Sequence, residues 1–564
     1  MPCNQSQWKG TVVWCALLAA LLFTFVFHRL FTDYAFPGRY DSWWHVAAFQ
    51  ELGNYLRSVF TGEPSGYSMH PERGLMKFAE PSPLSGMVYL CIRLFCNDPV
   101  YAFAVFTVVL CTLNALGFYF LASAYIHSAW ICVAGGLLFA AANYIFGHID
   151  HQNAYFAGNA LLALYFLKRF LIGKQWKFLY FFTLSNILQI YFSSTVFVYM
   201  NVAVLAMLAA NLKVFFSDRK VFGGILLSGL IILAGTLPFT WYFVLSGRLA
   251  DCYNNALGSP ASYLANIHPI DWLRVVPGNL IYPSLNDLQF PVQYLIRSAF
   301  PGISLVALLL YVLVKRVKIP LEIPLIILTG FIVSAGSGYY LSDGKVFPMP
   351  MKLFYDWVGD GTFLRTPARG YLIAVIGLTL MAVHGLQAIS KKPFGGLLVI
   401  AFVVVYLTEN IPFRMPVYPA NPYASWEQSF IHYSDKPVHQ TVVLHLPSVI
   451  LKGLPDFSRY PDEISREYMY SYWSSVKRYA CINGSAGITP WSRMRNDSLI
   501  SDLTLPGKME HLISENNLDF IIWHRDFVRG RETDITVFLN SRSDLQLLFR
   551  ENEIYCYHVK KPNP

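Results

Sequence analysis

The reading of this chain turns on "PLSGMVYLCIRLF", residues 83–95. The stretch is apolar, but it holds Arg93 and is shorter than the roughly 20 residues that a bilayer-crossing helix needs. Counted as a span, it inverts everything after it. Left out, with the N-terminus inside, it puts Lys168/Arg169/Lys174/Lys177, Lys213/Arg219/Lys220, Lys315/Arg316/Lys318 and Lys391/Lys392 on the inner side. Counted in, it puts all of them outside, against the positive-inside bias of membrane proteins. The stretch is therefore expected to form a helix lying on, or dipping into, the outer surface.

Working outward, long apolar runs fill most of the first 410 residues. They are Thr11–Phe27, Tyr101–Ala124, Ala129–Phe146, Ala154–Leu167, Phe178–Phe192, Thr195–Leu212, Val221–Leu245, Pro301–Val314, Ile323–Tyr340, Tyr371–Ile389 and Phe394–Leu407. That pattern predicts about 11 transmembrane helices. The composition agrees. Of 564 residues, 55% are hydrophobic and 14% charged, against roughly 25% charged in a soluble domain. Thr11–Phe27 is read as a first span and not a cleaved signal, because similar runs follow and no small-residue cleavage site stands out. The formal charge of +9 sits largely in short loops between apolar runs, which argues for membrane orientation and against nucleic acid. Nine cysteines show no metal-binding spacing. Cys15, Cys91, Cys111 and Cys132 lie in apolar runs and read as small hydrophobes, whereas Cys481 and Cys556 could pair in an oxidising compartment.

This topology places four segments outside: the long loop 30–100, the turn "GHIDHQN" at 147–153, and the loops Ser246–Ser298 and Leu341–Gly370. From Glu409, in "ENIPFRMPVYPANPYASWEQ", the chain turns polar and proline-rich, as a linker does. Residues 411–564 are expected to form a small outer α/β domain. Its strands are "QTVVLHLP", "LDFIIWH" and "EIYCYHV", and its helix is "GKMEHLISENN".

The outer segments carry the candidate chemistry. Asp41, in "GRYDSWWHVAAFQEL", opens an amphipathic helix over Ser42–Phe60. It reads either as an N-cap, a role worth about 1 kcal/mol, or as a reactive carboxylate. Asp150 is the only formally charged residue between Asp98 and Lys168, and His148 and His151 flank it. An acid and two imidazoles in so short a turn suit a metal ion or a phosphate, although the turn could also simply reach water. Arg365 and Arg369 in "LRTPARG" stand four apart at the entry to a late span, on the side the positive-inside bias disfavours. Two arginines at a helix N-terminus make a phosphate site; snorkelling to lipid headgroups is the alternative. Lys352 adds to the basic character of the same loop, and Glu80 stands beside the dipping helix.

The order of these parts resembles the GT-C superfamily of polyprenol-dependent membrane glycosyltransferases. "YDSWWHVAAFQEL" is similar to the acid-and-aromatic segment in the first outer loop of oligosaccharyltransferase catalytic subunits. "IFGHIDHQNAYFAGNALL" falls where those enzymes carry a second acidic cluster. "NDPVYAF", "LRTPARG", "EYMYSYW" and "INGSAGITP" resemble segments of large bacterial GT-C-like integral membrane proteins. The likeness extends over nearly the whole chain, and the order of motifs carries it. Two departures stand out. The outer turn has a single acid, and the tail lacks the Trp-Trp-Asp-Tyr-Gly motif that reads an asparagine acceptor.

The resemblance implies sugar transfer from a polyprenyl phosphate or diphosphate on the extracytoplasmic face, with inversion at the sugar carbon. Asp41 would act as base, or would hold a divalent cation such as Mg or Mn together with His148, Asp150 and His151. Arg365, Arg369 and Lys352 would neutralise the donor phosphate. Trp43, Trp44, His45 and Glu80 would contact the sugar or the acceptor, which could be a glycan, a lipid or a protein. The expected location is a bacterial inner membrane with the N-terminus cytoplasmic. A transporter or scaffold with the same core is the rival reading. It needs arginines and buried acids, but no acid at the start of a surface helix.

Overall fold

The computed structural model describes residues 5–37, 41–62, 82–241, 252–253, 267, 269–276, 278–279, 281–282, 298–336, 338–340, 346–353, 367–415, 417–419, 433–434, 436–437, 440–446, 470, 473, 480–482, 489–490, 500, 503–525, 532–551 and 554–560. The helices of the first half are α1 (Gln5–Val26), α2 (His28–Thr32), α3 (Asp41–Thr61), α4 (Pro83–Arg93), α5 (Pro99–Ser123), α6 (Ala129–Ala140), α7 (Asn143–Gly147), α8 (Gln152–Tyr155), α9 (Gly158–Gly173), α10 (Trp176–Phe192), α11 (Ser194–Ala210), α12 (Leu212–Ser217) and α13 (Arg219–Thr240). Then come α14 (Ile303–Val314), α15 (Glu322–Ser334), α16 (Tyr371–Ser390) and α17 (Gly395–Asn410). The chain divides into two compact units. One comprises Met1–Asp33, Tyr101–Phe243 and Asn255–Val417; the other comprises Tyr34–Val100, Val244–Asn254 and Tyr418–Pro564.

Every apolar run expected to cross the bilayer holds a helix. Among the described residues, 4 helices are long and apolar enough to cross a membrane: Pro99–Ser123, Ala129–Gly147, Arg219–Thr240 and Pro367–Ser390. Gly10–Val26, Ser194–Ala210, Ile303–Val314, Glu322–Ser334 and Gly395–Asn410 are apolar but shorter. The protein is thus a mainly helical membrane protein, and crossing by all of the expected spans remains a proposal. Two boundaries differ from expectation. The run Ala129–Phe146 breaks at Ala142, whose extended backbone (ψ 139°) separates α6 from α7. Ala154–Leu167 is shifted to Gly158–Gly173, because residues 152–155 coil into the separate turn α8.

In the first unit α16 is the central helix. Tyr371–Val383 are all buried, and the helix packs against α6, α14, α15 and α17. A helix apolar on all faces has to be enclosed in this way. The approach of α15 is close. A Cβ on Gly330 would lie 2.2 Å from the Ala374 backbone nitrogen, so only glycine fits there. At the far end of the same bundle the buried Glu322 at the start of α15 pairs with Lys168 of α9. Lys168, counted above in an inner basic loop, therefore ties two helices together.

The polar residues after the last apolar run are also drawn inside. Glu409 is 5% exposed. Its carboxylate accepts from Tyr282 Oη (2.8 Å), from the Ser304 backbone N–H (2.9 Å) and from the Ser304 hydroxyl. It thereby supplies an acceptor to the N-terminus of α14, where orphan N–H groups favour an anion. Gly302 makes the turn into α14 at φ +89°. The Arg29 guanidinium donates to Met415 O (3.2 Å), and Arg414 N donates to Gly278 O (3.1 Å).

In the second unit α3 and α4 pack together. The tail contributes β6 (Val442–Leu446), β7 (Ala480–Cys481), α18 (Lys508–Asn516), β9 (Phe520–His524), α19 (Glu532–Ser541), β10 (Leu545–Glu551) and β11 (Ile554–Val559). The remaining short strands are β1 (Ala35–Pro37), β2 (Cys252–Tyr253), β3 (Gly338–Tyr340), β4 (Val346–Pro348), β5 (Val417–Pro419) and β8 (Thr489–Pro490). The tail sheet runs β10-β11-β9-β6-β7, parallel among β9, β6 and β7 and antiparallel at β11 and β10. Strand alternation puts Leu444, Leu446, Ile521 and Trp523 into a core that Met509, Leu512, Ile535 and Leu539 of α18 and α19 complete. The expected α/β character, three strands and one helix are all present. The Cys481–Cys556 disulfide that the sequence allowed is not, and both residues are buried. Their strands lie three places apart in the sheet, or about 14 Å at ~4.8 Å per strand, beyond the reach of a disulfide.

Candidate functional site

The break between α6 and α8 brings the polar residues of the first unit together. Asn143, 1% exposed, stands at the break. It donates from Nδ2 to Arg274 O (3.1 Å) and accepts from Val276 N (2.9 Å), so it holds residues 274–276 beside the turn. Arg274 is itself paired with the buried Asp271 at 2.8 Å. The next residue, Tyr144, donates from its hydroxyl to Arg369 O at 3.0 Å. Its ring lies 4.2 Å from that of His148. Arg369 sits in a 3-10 turn, Pro367–Gly370, that leads into α16. Its Nε is buried and has no hydrogen-bond partner among the described residues.

Asp150 and His151 form a dyad. His151 Nδ1 lies 2.7 Å from Asp150 Oδ1, and an ionised carboxylate can only accept, so the contact places a proton on Nδ1. This arrangement orients an imidazole for proton transfer. His148 is wholly buried, and its Nδ1 lies 3.1 Å from Tyr144 O. That contact requires an N–H on Nδ1 and leaves Nε2 as a lone pair, buried and without a partner among the described residues. Burial first, and then the charges of His151 and Arg369, hold His148 well below the usual histidine range, in its neutral form. Gln152 is 1% exposed, and both of its amide atoms lack partners among the described residues. Orphan buried donors and acceptors cost about 1–3 kcal/mol each unless water or a ligand fills them.

Of the residues singled out in the sequence, the structure thus gathers Asp150, His151, His148 and Arg369. It does not arrange His148, Asp150 and His151 as a metal site. No group of three His, Cys, Asp or Glu residues among those described could hold an ion. His151 Nδ1 faces Asp150, His148 Nδ1 faces a carbonyl, and the two rings stand 6.4 Å apart. Lys352 is exposed, beyond the β3–β4 hairpin. Arg365, Glu80 and the side chain of Asp41 lie outside the described residues, although Asp41 does begin α3. In the second unit Trp43 (2% exposed) packs edge-on against Phe36 at 4.7 Å. Trp44 and the buried His45 pack on each other, also at 4.7 Å. Sequence reasoning missed Tyr144, Asn143, Gln152 and the Asp271–Arg274 pair. Polar side chains inside or beside an apolar run were the available signal for the first three.

Fold and site together define a mainly helical membrane protein with a polar cluster where a helix pair breaks. Among solved structures, the chain is similar to the oligosaccharyltransferase AglB of Archaeoglobus fulgidus in complex with an inhibitory peptide and a dolichol-phosphate. The identity is 11% and the TM-score 0.45, covering 92% of this chain and 69% of that one. It is similar to the apo form of the Archaeoglobus fulgidus oligosaccharyltransferase at 11% identity and TM-score 0.48, covering 92% and 70%. Both scores lie below 0.5, so the likeness by itself fixes neither fold nor activity. No family model and no curated protein matches the sequence.

Proposed function

We propose that the protein is a membrane glycosyltransferase that moves a sugar from a polyprenyl phosphate or diphosphate to an acceptor on the extracytoplasmic face, with inversion. The observation that supports this most is the convergence of a carboxylate–imidazole dyad, Asp150–His151, and an arginine with an unfilled N–H, Arg369, around one buried turn. The leaving phosphate needs charge neutralisation more than an acid, and Arg369, with Arg365 and Lys352 from the same loop, meets that need. Asp41 takes the proton from the acceptor hydroxyl, and the dyad orients the acceptor. The topology proposed with it has the N-terminus inside and residues 411–564 outside, in a bacterial inner membrane.

Transfer from a panel of polyprenyl-linked sugars in lipid nanodiscs tests the reading, with Asp41→Asn and Arg369→Glu as probes. Asparagine caps a helix about as well as aspartate does, so Asp41→Asn should keep its stability and donor binding while transfer falls at least about 100-fold. Arg369→Glu should weaken donor binding by about 2 kcal/mol or more, whereas Arg316→Glu should not. Wild-type rates in Asp41→Asn would move the base elsewhere. Absence of transfer from every donor would put the transporter reading ahead.

A further inference from the structure

The buried turn between α7 and α8 holds more hydrogen-bonding capacity than the chain itself uses. Gln152 is 1% exposed, and neither its amide oxygen nor its amide nitrogen meets a partner among the described residues. His148, one turn earlier in the chain and wholly buried, has its Nε2 in the same condition. With the Nδ1 proton committed to Tyr144 O at 3.1 Å, that nitrogen can only accept. Left dry, buried orphan groups of this kind destabilise a fold.

A loose turn does not explain them, because the backbone around them is held on two sides. Asn114 of α5, itself wholly buried, donates to Tyr155 O at 3.0 Å and accepts from Ala157 N at 2.8 Å. A Cβ on Gly158 would lie 2.7 Å from Leu113 O, so the start of α9 meets α5 backbone to backbone. On the other side the Tyr144 hydroxyl, which donates to Arg369 O, also stands 3.4 Å from Ala154 O. One side chain thus links α8 to the turn that carries Arg369.

The types of donor and acceptor decide what fits. A phosphodiester or a carboxylate offers only acceptors, and would set its lone pairs against those of His148 Nε2 and Gln152 Oε1. An apolar chain would leave every one of these atoms unmet. A hydroxyl both donates and accepts, so neighbouring hydroxyls can satisfy both ends of the Gln152 amide and give a proton to His148 Nε2. Arg369 Nε is of the opposite kind, a charged donor that suits an anion. The cluster therefore has a side for an anion and a side for a neutral polyol.

We propose that Gln152 and His148 form a hydroxyl-reading subsite, which takes the sugar of the lipid-linked donor while Arg369 takes its phosphate. The proposal rests on the glycosyltransferase reading above. It adds the two residues that select the sugar.

Binding of five lipids to the protein in nanodiscs tests it: a bare polyprenyl phosphate, and polyprenyl phosphates bearing glucose, galactose, mannose or N-acetylglucosamine. Gln152→Met keeps the length of the side chain and removes the amide. Its thermal midpoint should equal or exceed that of the natural chain, since an unfilled amide has left the interior. At least one glycosylated lipid should bind it about tenfold more weakly, the share of one or two hydrogen bonds, while affinity for the bare lipid changes less than about twofold. Gln152→Asn keeps the chemistry but draws the amide back by one methylene. It should show the same selective loss, and it replaces the methionine variant if that one does not fold. Unchanged affinity for every glycosylated lipid would overturn the proposal. An equal loss for the bare lipid would overturn it too, by making Gln152 a support of the phosphate site. So would a lowered midpoint with unchanged affinities, which would mean that a buried water alone fills the turn. If the natural chain binds none of the five lipids, the glycosyltransferase reading falls and the subsite with it. If it binds them all and is indifferent to Gln152, only the subsite falls.

Discussion

Glu51 offers a stability switch that can be read with pH. It lies on α3, is 3% exposed, and its Oε2 has no partner among the described residues. Burial pushes its carboxyl up from 4.5 to about 8, and a hydrogen bond from Asn54 only partly opposes this. The folded protein thus holds a proton that the unfolded chain gives up near 4.5. Stability should fall as pH rises from there, and the full penalty should be reached above about 8. At about 1.36 kcal/mol per pH unit, the interval from 4.5 to about 8 is worth on the order of 5 kcal/mol, and about 3 kcal/mol at neutral pH. Glu51→Gln keeps the shape and removes the titration. Thermal unfolding of both proteins in nanodiscs from pH 4.5 to 9 should give coincident midpoints at the acid end. The variant should be increasingly more stable up to about pH 8, with a constant gap beyond. Parallel midpoint curves, with no divergence in that window, would refute the argument that an unfilled carboxylate is buried at this place.

Three further outcomes are expected. Burial holds His445, which is hydrogen-bonded to His524 at 3.1 Å, down at about 3 against 6.5. The stability it permits at neutral pH should be lost as pH falls through that interval, and backbone hydrogen exchange at 442–446, normalised for its intrinsic pH dependence, should report the loss. Lys168→Met leaves Glu322 buried and unpaired and should destabilise by about 3–5 kcal/mol. Adding Glu322→Leu should recover most of that, and a double-mutant cycle on chemical unfolding checks it. Tyr144→Phe keeps the ring against His148 but loses the bond to the Arg369 carbonyl. Binding of a polyprenyl phosphate should weaken severalfold at nearly unchanged thermal stability, in keeping with about 1 kcal/mol for one hydrogen bond.

The helices were legible in the sequence because a lipid-facing or lipid-crossing segment announces itself by length and composition alone. α3 and α4 were legible too, the first by its amphipathic pattern and the second by its shortness and its arginine. The tail strands showed through their β-branched and aromatic runs, but α19 and β10, in "ETDITVFLNS" and "LQLLFRE", did not. Both mix apolar and polar residues, and only the core beneath them selects their conformation. The site was half legible. Asp150, its histidines and Arg369 stood out as ionisable groups at the edges of apolar runs. Their grouping was not legible, since Tyr144 reaches Arg369 and Asn143 reaches Arg274 across more than a hundred residues. Glu409 was misread as the start of a linker for the same reason, because its partners Tyr282 and Ser304 are far away in the chain.

Glu409 also decides where the chain can be cut. A truncation just before it would strip α14 of the carboxylate at its N-terminus and leave the Tyr282 hydroxyl and the Ser304 amide without their acceptor. Stopping at residue 410 keeps those bonds but gives up the return of Arg414 to Gly278 and the grip of Arg29 on Met415. The first site at which the tail can be excised, or replaced by a fusion partner, without unpicking the helical unit therefore lies beyond Met415.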